Sequence, residues 1–375
     1  MSAGRTRVPQ PVSGRLPVFP WDRLVPYKER ARSHPGGIVD LSVGTPVDPV
    51  PDVVRAALRS AEDAPGYPTT YGTPQLREAA ADWLRRRLGV ADADPAAVLP
   101  TVGSKEIVAG LPAQLGLGPS DVVVIPELAY PTYDVGGRLA GADVVASDGL
   151  VPLGPRRVRL VWVNSPANPH GRVLPAEHLA KVVAWCRERG AVLASDECYV
   201  ELGWDVAPVS VLHPSVSGGS HEGLLAVHSL SKRSNLAGYR AGFVAGDPDL
   251  VGELLEVRRH AGFMVPTPVQ AAMTAALRDD AHVDAQRERY ASRRARLGAA
   301  FTAAGFRVDH SEAGLYLWVT RDEDCWPTVS ALAGAGVLVA PGDFYGARGA
   351  RHVRVGLTAT DERVDAACAR LASLG

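Results

Sequence analysis

The chain of 375 residues exceeds one ordinary single-core domain and is 46% hydrophobic and 22% charged, the balance of a globular protein with a large core. Its 40 basic and 41 acidic side chains leave a formal net charge of -1, so it has no electrostatic footprint for nucleic acid or an anionic membrane. Its four cysteines, Cys186, Cys198, Cys325 and Cys368, lack paired spacing, which points away from zinc and toward a reduced, cytoplasmic setting.

The opening, "MSAGRTRVPQPVSGR", is rich in Pro, Arg and small residues and lacks the apolar core of a signal peptide, so residues 1–15 are expected to form a mobile arm that becomes ordered near "LPVFPW". No apolar run reaches the roughly 18 to 20 residues of a membrane span. From about residue 75 helices alternate with short apolar runs. "QLREAAADWLRRRLG" has helical spacing, and "SKEIVAGLPAQLGLG" opens a second helix after a Gly-Ser turn. The strands expected next are "DVVVIP", "VRLVWVNSP", "AVLASDECY", "GLLAVHSL" and "AGFVAGD", with helical stretches such as "PAEHLAKVVAWCRERG" between several of them. Strands apolar on both faces that alternate with helices predict an α/β fold with a mostly parallel central sheet covered on both sides. This is a large domain over residues 48–265. Residues 16–47 and 266–375 form a smaller α+β domain. There an arginine-rich helix over 282–304 precedes "FRVDHSEAGLYLWV", "GVLVAPG", "RHVRVGLTA" and a closing helix from about Asp361. The arginines between Arg287 and Arg296 read as a solvated helix face.

In an open parallel sheet a ligand sits beyond the carboxyl ends of the strands. Three strand ends, "NSPANPHG", "DECY" and "SLSK", bring forward Asn168, Asp196, Tyr199, Ser229 and Lys232. A lysine reached from a buried strand can serve as a neutral amine toward a carbonyl group. Ser229, Ser231 and Arg240 suit a phosphate, two by single hydroxyl bonds and one by a planar fork. Asp196 suits a pyridine nitrogen, and Asn168 with Tyr199 suits a phenolic oxygen. Together these are the requirements of pyridoxal 5'-phosphate.

These motifs, N-P-x-G, D-E-x-Y and S-x-S-K followed by an arginine, resemble those of the class I and II aminotransferases of fold type I, and the likeness runs from about Leu41 to the C-terminus. The resemblance implies that Lys232 bonds the cofactor aldehyde, that Asp196 holds the pyridine nitrogen, and that Asn168 and Tyr199 hold the phenolic oxygen. It places Ser229, Arg240 and the Gly103-Ser104-Lys105 turn at the phosphate, Lys105 by its backbone only. Tyr130 in "PELAYPTY" would stack on the cofactor. Tyr67 in "PGYPTTYG" would reach the phosphate of a neighbouring subunit and so require a homodimer. Arg354 in "HVRVGL" would bind the substrate α-carboxylate, with the backbone of Gly44 approaching it. No metal is expected.

"LPVFPWDRL", "HPGGIVDLSVGTPVDPVP", "APGYPTTYGTPQLR" and "VGSKEIVAGLP" together resemble actinobacterial succinyldiaminopimelate aminotransferases of lysine and diaminopimelate biosynthesis. The implied reaction is N-succinyl-LL-2,6-diaminopimelate plus 2-oxoglutarate to the 6-oxo compound plus glutamate. Both substrates carry a distal carboxylate, which calls for a second cation among Arg23, Arg233, Arg258 and His260. A segment around Phe19 and Trp21 could close over the longer donor. The alternatives on this fold are aminotransferases for aromatic or alanine-type donors and carbon-sulfur lyases. A cofactor-sensing transcription factor would need an N-terminal DNA-binding domain, and only about 40 residues precede the catalytic region.

Overall fold

The computed structural model describes residues 11–150 and 153–374, so the first ten residues of the expected arm lie outside the described part. Its strands in chain order are β1 (Val39–Asp40), β2 (Val98–Val102), β3 (Val122–Ile125), β4 (Asp143–Ala146), β5 (Val158–Asn164), β6 (Val192–Asp196), β7 (Leu224–Ser229), β8 (Ala241–Gly246), β9 (Arg307–Asp309), β10 (Tyr316–Thr320), β11 (Val337–Leu338), β12 (Ala340–Pro341) and β13 (Val353–Gly356). The central sheet has seven strands in the order β2-β8-β7-β6-β5-β3-β4, and β8 alone runs antiparallel to its neighbours.

Each central strand is buried on both faces because the helices divide between the two sides. From β5, Val161 and Val163 meet Leu179, Val182 and Cys186 of helix Ala176–Arg189, and Leu160 and Trp162 join the opposite core with Ile107, Val108 and Leu111 of helix Ser104–Gln114. The all-apolar strand runs reflect this two-sided burial. The two strands without a sequence expectation are both at the edges. β2 contains Pro100, which a central position would not tolerate, and β4 is short and half exposed.

A second core surrounds the four-stranded antiparallel sheet β12-β13-β10-β9, to which the chain start contributes Leu24, Ala31, Val39 and Leu41. Helix Ala281–Ala303 packs on this sheet through Tyr290, Leu297 and Phe301. Its arginines are not all solvated. Arg293 lies in the buried stripe, where its Nη1 and Nη2 donate to the two carboxylate oxygens of Asp48 at 2.7 Å each and its Nε donates to Asp361 at 3.0 Å. Two carboxylates from remote parts of the chain compensate the charge, a compensation that helical periodicity does not reveal. Helix Thr267–Arg278 buries Val269, Ala272, Met273, Ala276 and Leu277 in the larger core, against helices Asp52–Ser60 and Pro74–Leu88. We therefore propose to draw the domain division after this helix rather than before it.

Candidate active site

The carboxyl ends of β5, β6 and β7 lie side by side, with Asn164 opposite Asp196 and Asp196 opposite Val227. A single buried amide ties two of these ends together. Asn164 Nδ2 donates to the carbonyls of Asp196 at 2.8 Å and Pro166 at 3.0 Å, while its Oδ1 accepts from the Asn168 backbone N–H at 2.7 Å. Asn164 escaped the sequence reading. Its only signal was a polar residue closing an apolar run.

Asp196 is buried, and burial raises its carboxyl above the ordinary value despite the donors around it. Those donors are the Tyr133 hydroxyl, at 2.8 Å from Oδ2, and the Cys198 backbone N–H, at 3.1 Å from Oδ1. Tyr133 is fully buried and stacked on Trp162 with centroids 5.0 Å apart. It stands three residues beyond Tyr130, the residue singled out from the same "AYPTY" stretch. Tyr130 packs edge-on against it at 5.9 Å.

Lys232 follows β7 on a short helical turn, and its Nζ donates to the carbonyl of Gly44. Burial lowers the pKa of its ammonium, and Arg354 and Arg240 push in the same direction. Gly44 has no side chain for a reason the sequence did not supply. A Cβ there would lie 2.0 Å from the hydroxyl of Tyr316. Tyr316, on β10, also escaped the sequence reading. Its hydroxyl lies 3.3 Å from that of Tyr199. Burial opposes ionisation of Tyr316, but the Arg354 and Lys232 cations outweigh it and lower its pKa, whereas burial holds the Tyr199 phenol well above its ordinary range.

Arg354 is 3% exposed. It sits on β13 opposite Trp318 of β10, on the face that also carries Tyr316, and its guanidinium lies 3.8 Å from the Tyr316 ring centroid. Its Nη1 donates to Asn168 Oδ1 at 2.8 Å and its Nη2 to the Ser42 carbonyl at 2.7 Å. The smaller sheet thus delivers a buried cation to the strand ends of the larger one.

Immediately after β2 stands Gly103 (φ 71°), and helix Ser104–Gln114 begins there. A Cβ on Gly103 would lie 2.4 Å from Arg240 Nη2, so the glycine lets that guanidinium close over the helix N-terminus. Ser229 lies nearby in sequence with its Oγ accepting from the Ser231 N–H at 3.2 Å. Lys105 points to solvent, and the ring of Tyr67 is 96% exposed. Directly behind these groups Glu197 and His228 are buried, with His228 Nε2 3.7 Å from Glu197 Oε2. Burial pushes Glu197 up to about 7, and burial with the nearby Arg233 holds His228 down at about 3.

The expected second cation does not emerge from its four candidates. Arg233 is buried against Glu201, and Arg258 is fully buried in a two-pronged pair with Glu106. Both are used up holding helices, since a buried guanidinium is stable only with such a partner. His260 is exposed near the end of helix Pro248–Ala261. Arg23 bonds Asp343 at 3.1 Å and covers the Trp326 ring at 4.4 Å. Nor is the segment around Phe19 and Trp21 detached, because Trp21 packs in tilted fashion between Phe19 and Phe344, with ring centroids 5.6 and 5.3 Å away.

The family profile described as aminotransferase class I and II matches residues 37–371 of this chain. The chain belongs to the class I and II aminotransferases. It is 64% identical over 356 residues to the 4-dedimethylamino-4-oxo-anhydrotetracycline transaminase OxyQ of Streptomyces rimosus, covering 95% of this chain and 99% of that one. It is 63% identical to a probable aminotransferase of Mycobacterium tuberculosis, covering 96% and 86%. The solved structure of the N-succinyldiaminopimelate aminotransferase from Mycobacterium tuberculosis superposes with a TM-score of 0.84 at 29% identity, covering 94% of this chain and 99% of that one. This aminotransferase has the fold type I architecture and depends on pyridoxal phosphate, like its family. The residues present suit that group. A helix N-terminus under the Arg240 guanidinium offers a phosphate cradle that a Cβ on Gly103 would fill, and the buried Asp196 and the amine of Lys232 offer the complementary chemistry for ring nitrogen and aldehyde. No helix among the described residues is long and apolar enough to cross a membrane, and no cluster of His, Cys, Asp or Glu among them could hold a metal.

Proposed function

We propose that this aminotransferase transfers the amino group of N-succinyl-LL-2,6-diaminopimelate to 2-oxoglutarate. The supporting observation is the end-to-end superposition on the Mycobacterium tuberculosis N-succinyldiaminopimelate aminotransferase, joined to the likeness of the separated segments from "LPVFPWDRL" to "VGSKEIVAGLP". When bound, pyridoxal phosphate supplies an electron sink for the donor's α-carbon. Asp196 holds the ring nitrogen, Asn168 Nδ2 and Tyr199 hold the phenolic oxygen, and Ser104, Ser229 and Arg240 hold the phosphate. Arg354 receives the donor's α-carboxylate. Lys232 Nζ then takes the α-proton as general base and returns it as general acid, a role for which its burial-lowered pKa suits it. In a homodimer the exposed Tyr67 would complete the partner's phosphate site. The four cysteines are free, in keeping with work in the cytoplasm.

The 64% identity to the Streptomyces rimosus transaminase favours a second reading, amination of a bulky polycyclic ketone, and the aromatic wall of Trp21, Phe344 and Tyr345 suits it. A panel tests the first reading. Succinyldiaminopimelate, free diaminopimelate, alanine, phenylalanine and cystathionine are each offered with 2-oxoglutarate, and glutamate release is measured. The first reading requires the succinyl donor to have the highest kcat/KM. Preference for phenylalanine or alanine overturns it, and faster release of pyruvate and ammonia from cystathionine overturns aminotransfer as the main activity.

A further inference from the structure

Arg354 has no carboxylate partner among the described residues. Its neighbours are the faces of two tyrosines, Tyr316 at 3.8 Å and Tyr345 at 4.9 Å, and a buried cation so placed awaits an anion. Yet its fork is partly spent. With Nη1 donating to Asn168 and Nη2 to the Ser42 carbonyl, the buried Nε–H is the one guanidinium nitrogen left without a partner. A carboxylate has two oxygens and about four acceptor positions, so one N–H leaves most of it unmet on entering a dry site.

Tyr345, whose ring packs against this guanidinium, carries a second unpartnered donor. It is 2% exposed, and its hydroxyl has no hydrogen-bond partner. Its ring is held by the edge of Trp21 at 6.5 Å and of Trp318 at 6.3 Å, so the hydroxyl cannot swing out to water without breaking the aromatic wall. Burial pushes the phenol above its ordinary range, which keeps it a proton donor at every working pH. Buried donors left unpaired in a folded chain call for an explanation, and two carried by side chains packed against each other call for the same one.

We propose that Tyr345 is a substrate-binding residue whose hydroxyl donates to the same α-carboxylate that Arg354 receives. The inference rests on the reading of Arg354 as the carboxylate receptor. The ligand class is any 2-amino or 2-oxo carboxylate, so Tyr345 serves both half-reactions, whatever the donor's side chain.

The test uses the holoenzyme. Tyr345→Phe, checked for unchanged cofactor absorbance, is compared with wild type in its half-saturation by L-glutamate, L-alanine and 2-oxoglutarate. Inhibition by unreactive succinate and by its uncharged diamide is measured alongside. All three half-saturation values and the succinate constant should rise by a common factor, on the order of tenfold to a hundredfold for a lost bond to a charged group. The diamide constant should stay within twofold. A second variant with 3-fluorotyrosine at position 345, a stronger donor of nearly the same volume, should bind succinate more tightly than wild type. A succinate constant unchanged in both variants, or equal loss of succinate and diamide in Tyr345→Phe, overturns the proposal. If succinyldiaminopimelate is not the preferred donor, the substrate reading fails and this test stands, because glutamate and alanine carry the same carboxylate.

Discussion

Substituting Tyr133 by Phe removes one oxygen from the active site and nothing from its packing. The ring stays stacked on Trp162, and Asp196 loses the hydroxyl 2.8 Å from Oδ2 while keeping the Cys198 N–H on Oδ1. Burial already pushes the Asp196 carboxyl toward its neutral form, and the two donors oppose that push. A hydrogen bond to a charged group is worth about 1.5 to 3 kcal/mol. Its loss should raise the Asp196 pKa further. A carboxyl that spends more time protonated no longer holds the ring nitrogen in its charged state. We therefore expect kcat for the donor half-reaction at pH 7 to fall about tenfold to a hundredfold. KM should change much less, since Tyr133 is fully buried and its hydroxyl is bonded to Asp196. Because the active form of Asp196 is the ionised one, the acid limb of the pH profile should move to higher pH and the lost rate should return in part above it. Stopped-flow measurement of the half-reaction from pH 5 to 9 gives both quantities. A variant with kcat within twofold of wild type and an unmoved acid limb would refute the placement of Tyr133 behind Asp196.

Glu197→Gln tests the buried carboxyl behind the site. Between about pH 4.5 and 7 the folded chain keeps a proton on Glu197 that the unfolded chain releases, so this group's stabilising contribution is full at low pH and is lost as pH rises through about 7. Gln has no such loss, so the urea stability of the variant relative to wild type should improve from pH 5 to pH 8, by on the order of 3 kcal/mol, and a pH-independent difference would count against it. His228, present in both proteins, acts in the opposite sense, losing its contribution as pH falls below about 6.5. Mixing inactive Lys232→Ala protein with an inactive Tyr67 variant should restore activity if Tyr67 crosses between subunits, because one hybrid site is then intact. A strictly monomeric active enzyme in a sizing column would contradict that arrangement.

What was legible in the sequence is what local chemistry writes into contiguous residues. Apolar runs long enough for a strand but not a span, separated by helices with Gly stops, specify a parallel sheet covered on both sides, because only that layering buries both faces. The polar residues that interrupt those runs at their ends, Asn168, Asp196 and Lys232, are legible for the same reason, since a strand end is where a buried chain meets a ligand. The tertiary structure decided everything that depends on two distant segments meeting. Tyr133, Tyr316 and Tyr345 look like ordinary core aromatics until the small sheet and the helix after β3 bring them to Asp196, Gly44 and Arg354. Arg293 and Arg233 carry the same letter as solvated arginines, and only the arrival of Asp48 and Glu201 made their burial tolerable. Periodicity reports which face of an element is apolar. It holds no information on which remote charge will lie opposite, and for a buried ionisable group that partner determines both whether it can be there and what it can do.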